Sequence, residues 1–266
     1  MHPWLSWIEH QTTNLGVGGS NPSGCTISSS KSSYYNMQNP FELEKINPDI
    51  VFDMAHTARE KTWEAVEAIK SFIRPGMTEK EAIQKANAYF ASQGVKKFWH
   101  KTHIRFGEST VLSFNDPYRE HVVLQETDIF YIDIGPVWDG VEGDCGDTFV
   151  MGENPEFTRI KADVKTIFEQ TRDYWRAQKP SGVELYQYAQ DQTEKMGYLL
   201  HPAYVKGHRL SEFPHFAYTK IGTGDLEFSP APDRWILEFQ ICDRSMKFGA
   251  FYEDLLDEKS SLGPPM

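Results

Sequence analysis

Tyr131-Ile-Asp-Ile-Gly-Pro-Val-Trp-Asp-Gly-Val-Glu-Gly-Asp-Cys-Gly-Asp-Thr-Phe-Val150 is the stretch on which the fold turns. Two largely apolar runs flank Asp139-Gly140. That dipeptide suits a two-residue hairpin turn, because both of its positions need a positive φ. A turn there pairs residue 138 with 141, so that 144 falls opposite 135. Asp133 and Asp144 then become diagonal neighbours on one face of the hairpin, roughly 7–8 Å apart at Cα. Two carboxylates so placed repel unless protons or cations lie between them. A divalent cation that prefers oxygen donors fits the position. A pair of solvated acids beside a turn is the alternative that the hairpin alone leaves open.

Outward from the hairpin the pattern is regular. Strand-like stretches occupy 97–106, 110–114, 129–138 and 141–150. Upstream, Asn47-Pro48 opens an amphipathic helix that runs to about Ile73 and stops at Pro75-Gly76. Thr78-Glu-Lys-Glu81 is a capping box, and its helix ends at Gly94. The second half repeats this plan. A helix over about 157–177 is followed by a second box, Ser181-Gly-Val-Glu184, and a helix ending at Gly197. Sixteen residues separate cap from terminal glycine in both halves. From box to acidic strand residue, Glu81 to Asp133 spans 52 positions and Glu184 to Glu238 spans 54. The repetition predicts one α/β (α+β) domain with a pseudo-two-fold repeat of helix, helix and antiparallel strands. Two unrelated helical hairpins are the alternative.

The chain has 266 residues, enough for a substantial core, and a formal charge of −11. That charge argues against nucleic acid or anionic lipid as the main partner. No run of about 18 apolar residues exists, and residues 1–10 lack the basic start of a secretory signal. Cys25, Cys145 and Cys242 form no disulfide framework, so a cytoplasmic setting is expected, with Cys145 and Cys242 as packing residues. Residues 11–36 are rich in Gly, Ser, Thr and Asn, and 1–36 read as a disordered tail. Met37 is the expected true start, with one domain over 37–266.

Four further groups carry chemistry. Lys206-Gly-His-Arg-Leu-Ser-Glu-Phe-Pro-His215 places two histidines seven apart. Taken alone, His208 and His215 read as polar residues with ordinary partners rather than as ligands. Glu238 and Glu253 each sit inside an apolar run. A buried carboxylate needs a partner, which is either a metal ion or a cation such as Arg234 or Lys247. His100 and His103, within 98–107, either line a pocket or form a polar strand end.

In combination the order is Asp133, Asp144 eleven later, Gly207-His208, His215, Glu238, then Glu253 in a final strand. That order resembles the pita-bread metallopeptidases: methionine aminopeptidase, prolidase, aminopeptidase P and creatinase. The resemblance covers about residues 48–258. It implies the pita-bread fold in its short, single-domain form. It also implies two divalent ions, Mn²⁺, Fe²⁺ or Co²⁺ ahead of Zn²⁺, which favours Cys and His at structural sites. Carried over by residue, Asp133 would hold one ion, His208 and Glu238 the other, and Asp144 and Glu253 would bridge. A hydroxide activated between the ions would attack the peptide, Glu238 would shuttle its proton, and His215 would donate to the developing oxyanion.

The activity so implied is removal of an N-terminal residue from a peptide. An inactive binding protein of this fold, or a C–N hydrolase acting on a small creatinase-like substrate, are the other readings. The substrate pocket departs from the named relatives. Asn115 stands where methionine aminopeptidases carry a histidine, and Phe251 where prolidase carries an arginine. Asp144-Cys-Gly-Asp-Thr148 replaces Asp-x-Thr-Arg-Thr, and Ser211 and Phe216 replace a glycine and an acid. Asn115 and His103 are the expected substrate-binding residues.

Overall fold

The structure, a computed structural model, describes residues 38–48, 50, 52–201, 206–215 and 217–259. The expected tail over 1–36, the start at Met37 and Phe216 lie outside them.

Local signals set most elements. A short helix, α1 (Pro40–Leu43), is capped by the Asn39 side chain. The long helix α2 (Phe52–Phe72) starts later than Pro48 suggested. Helix α3 (Glu79–Ser92) has both halves of its capping box, with Thr78 Oγ1 accepting from Glu81 N and Glu81 Oε2 accepting from Thr78 N. In the second half, α4 (Pro155–Gln178) and α5 (Gly182–Lys195) correspond, and Ser181 and Glu184 form the second box.

Eight strands follow from these anchors: β1 (His103–Phe106), β2 (Asp128–Ile134), β3 (Val137–Trp138), β4 (Val141–Glu142), β5 (Cys145–Met151), β6 (Leu199–Leu200), β7 (Ile236–Cys242) and β8 (Gly249–Leu255). Asp139 and Gly140 have φ of 50° and 88°, as the hairpin requires. The pairing Trp138↔Val141 continues as Ile134↔Cys145 and Asp133↔Gly146, so the turn sets the register of the whole β2–β5 ladder. Two expected strands are corrected. Residues 107–111 form a 3-10 turn, because Gly107 takes φ +51° and Thr110 Oγ1 bonds back to its carbonyl. Residues 97–102 are irregular, tied instead to the β2–β3 junction by Trp99 N to Gly135 O at 2.8 Å.

Six strands make one antiparallel sheet in the order β1-β2-β5-β8-β7-β6. The order is symmetric about the β5–β8 contact, so each sequence half supplies three neighbouring strands. Residues alternate between faces along a strand. Ile132, Ile134, Phe239, Ile241, Ala250 and Tyr252 enter the main core with Trp63, Ile69, Phe168 and Trp175 from the helices. The intervening positions, Asp133, Glu238 and Glu253, therefore share the opposite face. On the core side, Asp254 takes a two-pronged contact from Arg59, at 2.6 and 2.5 Å, which pins α2 to β8. Among the described residues no helix is long and apolar enough to cross a membrane.

Candidate metal centre

One row of register partners crosses five strands: His103↔Asp133, Asp133↔Gly146, Gly146↔Glu253 and Glu253↔Glu238. Directly paired residues project to the same side of a sheet. Asp144 lies two positions from Gly146 on the same face. His208 joins from the loop before β7, held by Ile236 N donating to its carbonyl at 2.8 Å. Gly207 precedes it at φ +62°, where a Cβ would lie 2.0 Å from Ile236 O, so only glycine lets the histidine arrive. Together Asp133, Asp144, Gly207, His208, Glu238 and Glu253, with Trp99, His100, His103 and Phe114, line a cavity of about 210 Å³. All five residues expected to hold metal converge there.

The expected substrate and proton-transfer residues separate. His103 lines the cavity, with Nδ1 3.1 Å from the Tyr118 hydroxyl. Asn115 is exposed and does not line it; its neighbour Phe114 does. His215 stands outside, exposed, with its ring centroid 6.2 Å from that of Trp99 and 5.4 Å from that of Tyr218. Cys145 and Cys242 are buried free thiols, as packing residues should be.

One contributor, Glu142, went unnoticed in the sequence, and His100, read there as a pocket residue or a polar strand end, proves to line the cavity. Glu142, fully buried, has Oε1 2.7 Å from His208 Nε2 and Oε2 2.6 Å from Ser211 N. Its signal was its position two residues before Asp144, on the same strand face. His100 presents Nε2 3.2 Å from Asp133 Oδ1 and 3.1 Å from Asp144 Oδ1.

A second register row runs beside the first. Tyr131 pairs with Thr148, and Phe251 with Gln240, while Thr148 Oγ1 bonds both the N and the O of Phe251. The Tyr131 and Phe251 rings stack at 5.1 Å. Gly146 makes this possible, since a Cβ there would meet Phe251 Cε1 at 2.3 Å. The glycine in Asp144-Cys-Gly and the phenylalanine two before Glu253 are thus one coupled departure from the prolidase pattern.

Residues 53–249, well over half of the chain, match the profile of metallopeptidase family M24. The chain belongs to metallopeptidase family M24. Its fold is similar to that of the prolidase from Pyrococcus furiosus, with TM-score 0.64 and 18% identity over 83% of this chain and 67% of that one. It is similar also to the methionine aminopeptidase from Thermotoga maritima, with TM-score 0.61 and 16% identity over 81% of this chain and 99% of that one. The Xaa-Pro dipeptidase from Bacillus anthracis matches with TM-score 0.62 and 18% identity, over 84% of this chain and 64% of that one. At such identities the likeness speaks for the pita-bread fold. A search of curated proteins returns no significant match.

The electrostatics of this M24 site call for cations. Burial, then Asp144 and Glu238, push the Glu253 carboxyl well up. Burial lifts Asp133 to about 7, with Asp144 adding to the rise and His100 opposing it. Burial and then Asp133 lift Glu238 to about 8. Asp144 is the exception: burial pushes it up, but His100 and His208 outweigh burial and hold it low. Burial disfavours charge on His208 too, yet Glu142 and Asp144 raise it to about 9. Asp133 Oδ1, Asp144 Oδ2 and Glu253 Oε2 are buried and make no hydrogen bond. Such atoms cost free energy unless a cation meets them. Two sets of donors, His100 with Asp133 and Asp144, and Glu142 with Asp144 and His208, each gather within 4.8 Å, so the residues fit a metal centre.

Proposed function

We propose that this M24 hydrolase removes the N-terminal residue from short peptides with two divalent ions held by Asp133, Asp144, His208, Glu238 and Glu253. The observation that carries the reading is the row of carboxylates across β2, β8 and β7, with its unbonded buried oxygens facing one cavity. When bound, such ions supply Lewis acidity, which acidifies water and polarises a scissile carbonyl. Mn²⁺, Fe²⁺ or Co²⁺ suits a donor set dominated by carboxylates with imidazole.

The chain's own groups then have separate tasks. Glu238 accepts from Gly207 N at Oε2, at 3.1 Å, which leaves Oε1 to take a proton from the attacking water and return it to the leaving amine. His103 stays neutral at working pH, because burial and then His100 push it down to about 3. In the tautomer whose Nδ1 accepts from the Tyr118 hydroxyl, Nε2 carries the hydrogen and donates to the substrate. His215, on the rim, is the second candidate donor to the developing oxyanion. Trp99 and Phe114 exclude water and bound the side chain of the residue removed. Free thiols at Cys145 and Cys242 support a cytoplasmic site of action.

The test is one screen: metal-loaded protein against a panel of aminoacyl and Xaa-Pro peptides. Release of the N-terminal amino acid is the expected result. Full metal occupancy with no turnover on any peptide would move the reading to a binding protein of this fold.

A further inference from the structure

We propose that His100 is a further ligand of this centre, supplying an imidazole to the ion held at Asp133 and Asp144. The proposal rests on the metal reading above and adds a donor outside the five residues of that reading.

Placement comes first. His100 belongs to no strand, yet its backbone is fixed from both sides. Trp99 N donates to Gly135 O at 2.8 Å, Val137 N donates to Lys97 O at 3.0 Å, and Phe98 bridges Pro136. Gly135 admits the ring, since a Cβ at that position would lie 2.8 Å from both Cδ2 and Nε2 of His100. The side chain is therefore packed against the start of the hairpin and aimed along it.

Chemistry comes second. His100 Nδ1 lies 2.7 Å from the Lys101 carbonyl, which only accepts. Nδ1 must carry the hydrogen, so in the neutral ring the Nε2 lone pair faces the cavity. That lone pair meets Asp133 Oδ1 at 3.2 Å and Asp144 Oδ1 at 3.1 Å. In the metal-free structure a proton on Nε2 makes the Asp144 contact a hydrogen bond; with a cation in the place of that proton, three electron-pair donors would converge on it. Donors at right angles about an ion, each about 2.1 Å from it, stand about 3.0 Å apart, so the spacing is that of neighbouring ligands. A backbone carbonyl on the far nitrogen is the usual way a metal-binding imidazole is oriented.

Asp144 then serves both positions in the same manner. Its Oδ1 is shared with His100 and its Oδ2 lies 3.4 Å from His208 Nε2. Each ion would own one imidazole, which moves the centre toward Fe²⁺, Co²⁺ or Zn²⁺ and away from the oxygen-loving Mg²⁺.

The experiment uses the full chain, stripped with a chelator and titrated with Co²⁺ alone. Calorimetric and competition titrations give the affinity of each ion, and elemental analysis gives the number bound. Proton NMR of the Co²⁺ form counts solvent-exchangeable, hyperfine-shifted imidazole N–H signals. Wild type is expected to bind two ions and to show two such signals. His100→Gln is expected to show one and to weaken one ion by at least the roughly 10- to 100-fold that loss of an orienting partner alone costs. Equal affinities in the variant, with both signals kept, would overturn the proposal. If the variant does not fold, the wild-type spectrum decides, because a single imidazole signal from a protein holding two ions overturns it as well. Wild type that takes up no Co²⁺ fails earlier, at the metal reading itself.

Discussion

Gly146 and Phe251 should be energetically coupled, and the structure sets the size of the effect. A methyl on Gly146 would stand 2.3 Å from Phe251 Cε1, 2.8 Å from its Cδ1 and 3.1 Å from Ile132 O. Phe251 is buried and bonded through its backbone to Thr148, so the ring cannot simply leave. Gly146→Ala is then an overpacking change, costing about 1–3 kcal/mol. Phe251→Ala opens a void beneath the metal row and costs about 3–5 kcal/mol. Independent effects would sum to about 4–8 kcal/mol. In the double variant, however, the new methyl enters space that the ring has vacated. Its cost should match that of Phe251→Ala alone, a coupling of about 1–3 kcal/mol. Urea unfolding in chelator, at constant m, measures all four corners of the cycle. Thermal midpoints should fall by about 2–4 °C per kcal/mol for a domain of this size. Additivity to within about 0.5 kcal/mol would refute the account of why glycine and phenylalanine occur together here.

Asp144→Ala should empty both metal positions, since each of its oxygens faces a different imidazole; unchanged metal by elemental analysis would break that assignment. His103→Gln and His215→Ala should both keep metal, and whichever residue donates in the transition state should lose about 10²–10³ in kcat. Full activity in both would mean that the donor lies elsewhere. With Phe251 in place of arginine, cleavage should not be confined to Xaa-Pro peptides, and strict Xaa-Pro specificity on the peptide panel would contradict this pocket. The metal-free protein should lose stability as pH rises. Burial lifts Asp133 to about 7, Glu142 to about 7 and Glu238 to about 8, so the fold keeps protons that the unfolded chain releases near pH 4, and their contribution fades through pH 7–8. His208, raised to about 9 by Glu142 and Asp144 against burial, adds stability below about 6.5 that is lost toward 9, whereas Asp144, held low, and His103, pushed down to about 3, work the other way in acid. The urea midpoint in chelator should therefore decline between about pH 5 and 9 and recover with divalent ions; a flat profile would rule this out.

What was legible in the chain was local or periodic. Asp139-Gly140 dictated a turn, and the turn alone placed Asp133 against Gly146 and Asp144 beside it. The two capping boxes marked the same helix start in each half. Glu238 and Glu253 stood out because an acid amid apolar neighbours needs a reason. What stayed hidden depends on paths through irregular backbone. His100 reaches the centre only because the segment before β1 is tied to Gly135, which no period of 2 or 3.6 records. Glu142 looked like one more acid beside a turn until the loop before β7 brought His208 to it. Counting back from Asp133 picked out Asn115, but in the loop after the 3-10 turn at 107–111 it is Phe114 that lines the cavity.

The symmetric sheet order has a consequence for assembly. Asp133, Asp144 and His100 come from the first half of the chain, and His208, Glu238 and Glu253 from the second. The halves meet in the sheet at β5 and β8, through Gly146 opposite Glu253. Neither half alone can present the full donor set, so divalent ions held there would act as a clasp across the seam. A chain severed in the turn after β5, near Gly152, would yield two fragments. Their reassociation would depend on divalent ions, with chelation as the release.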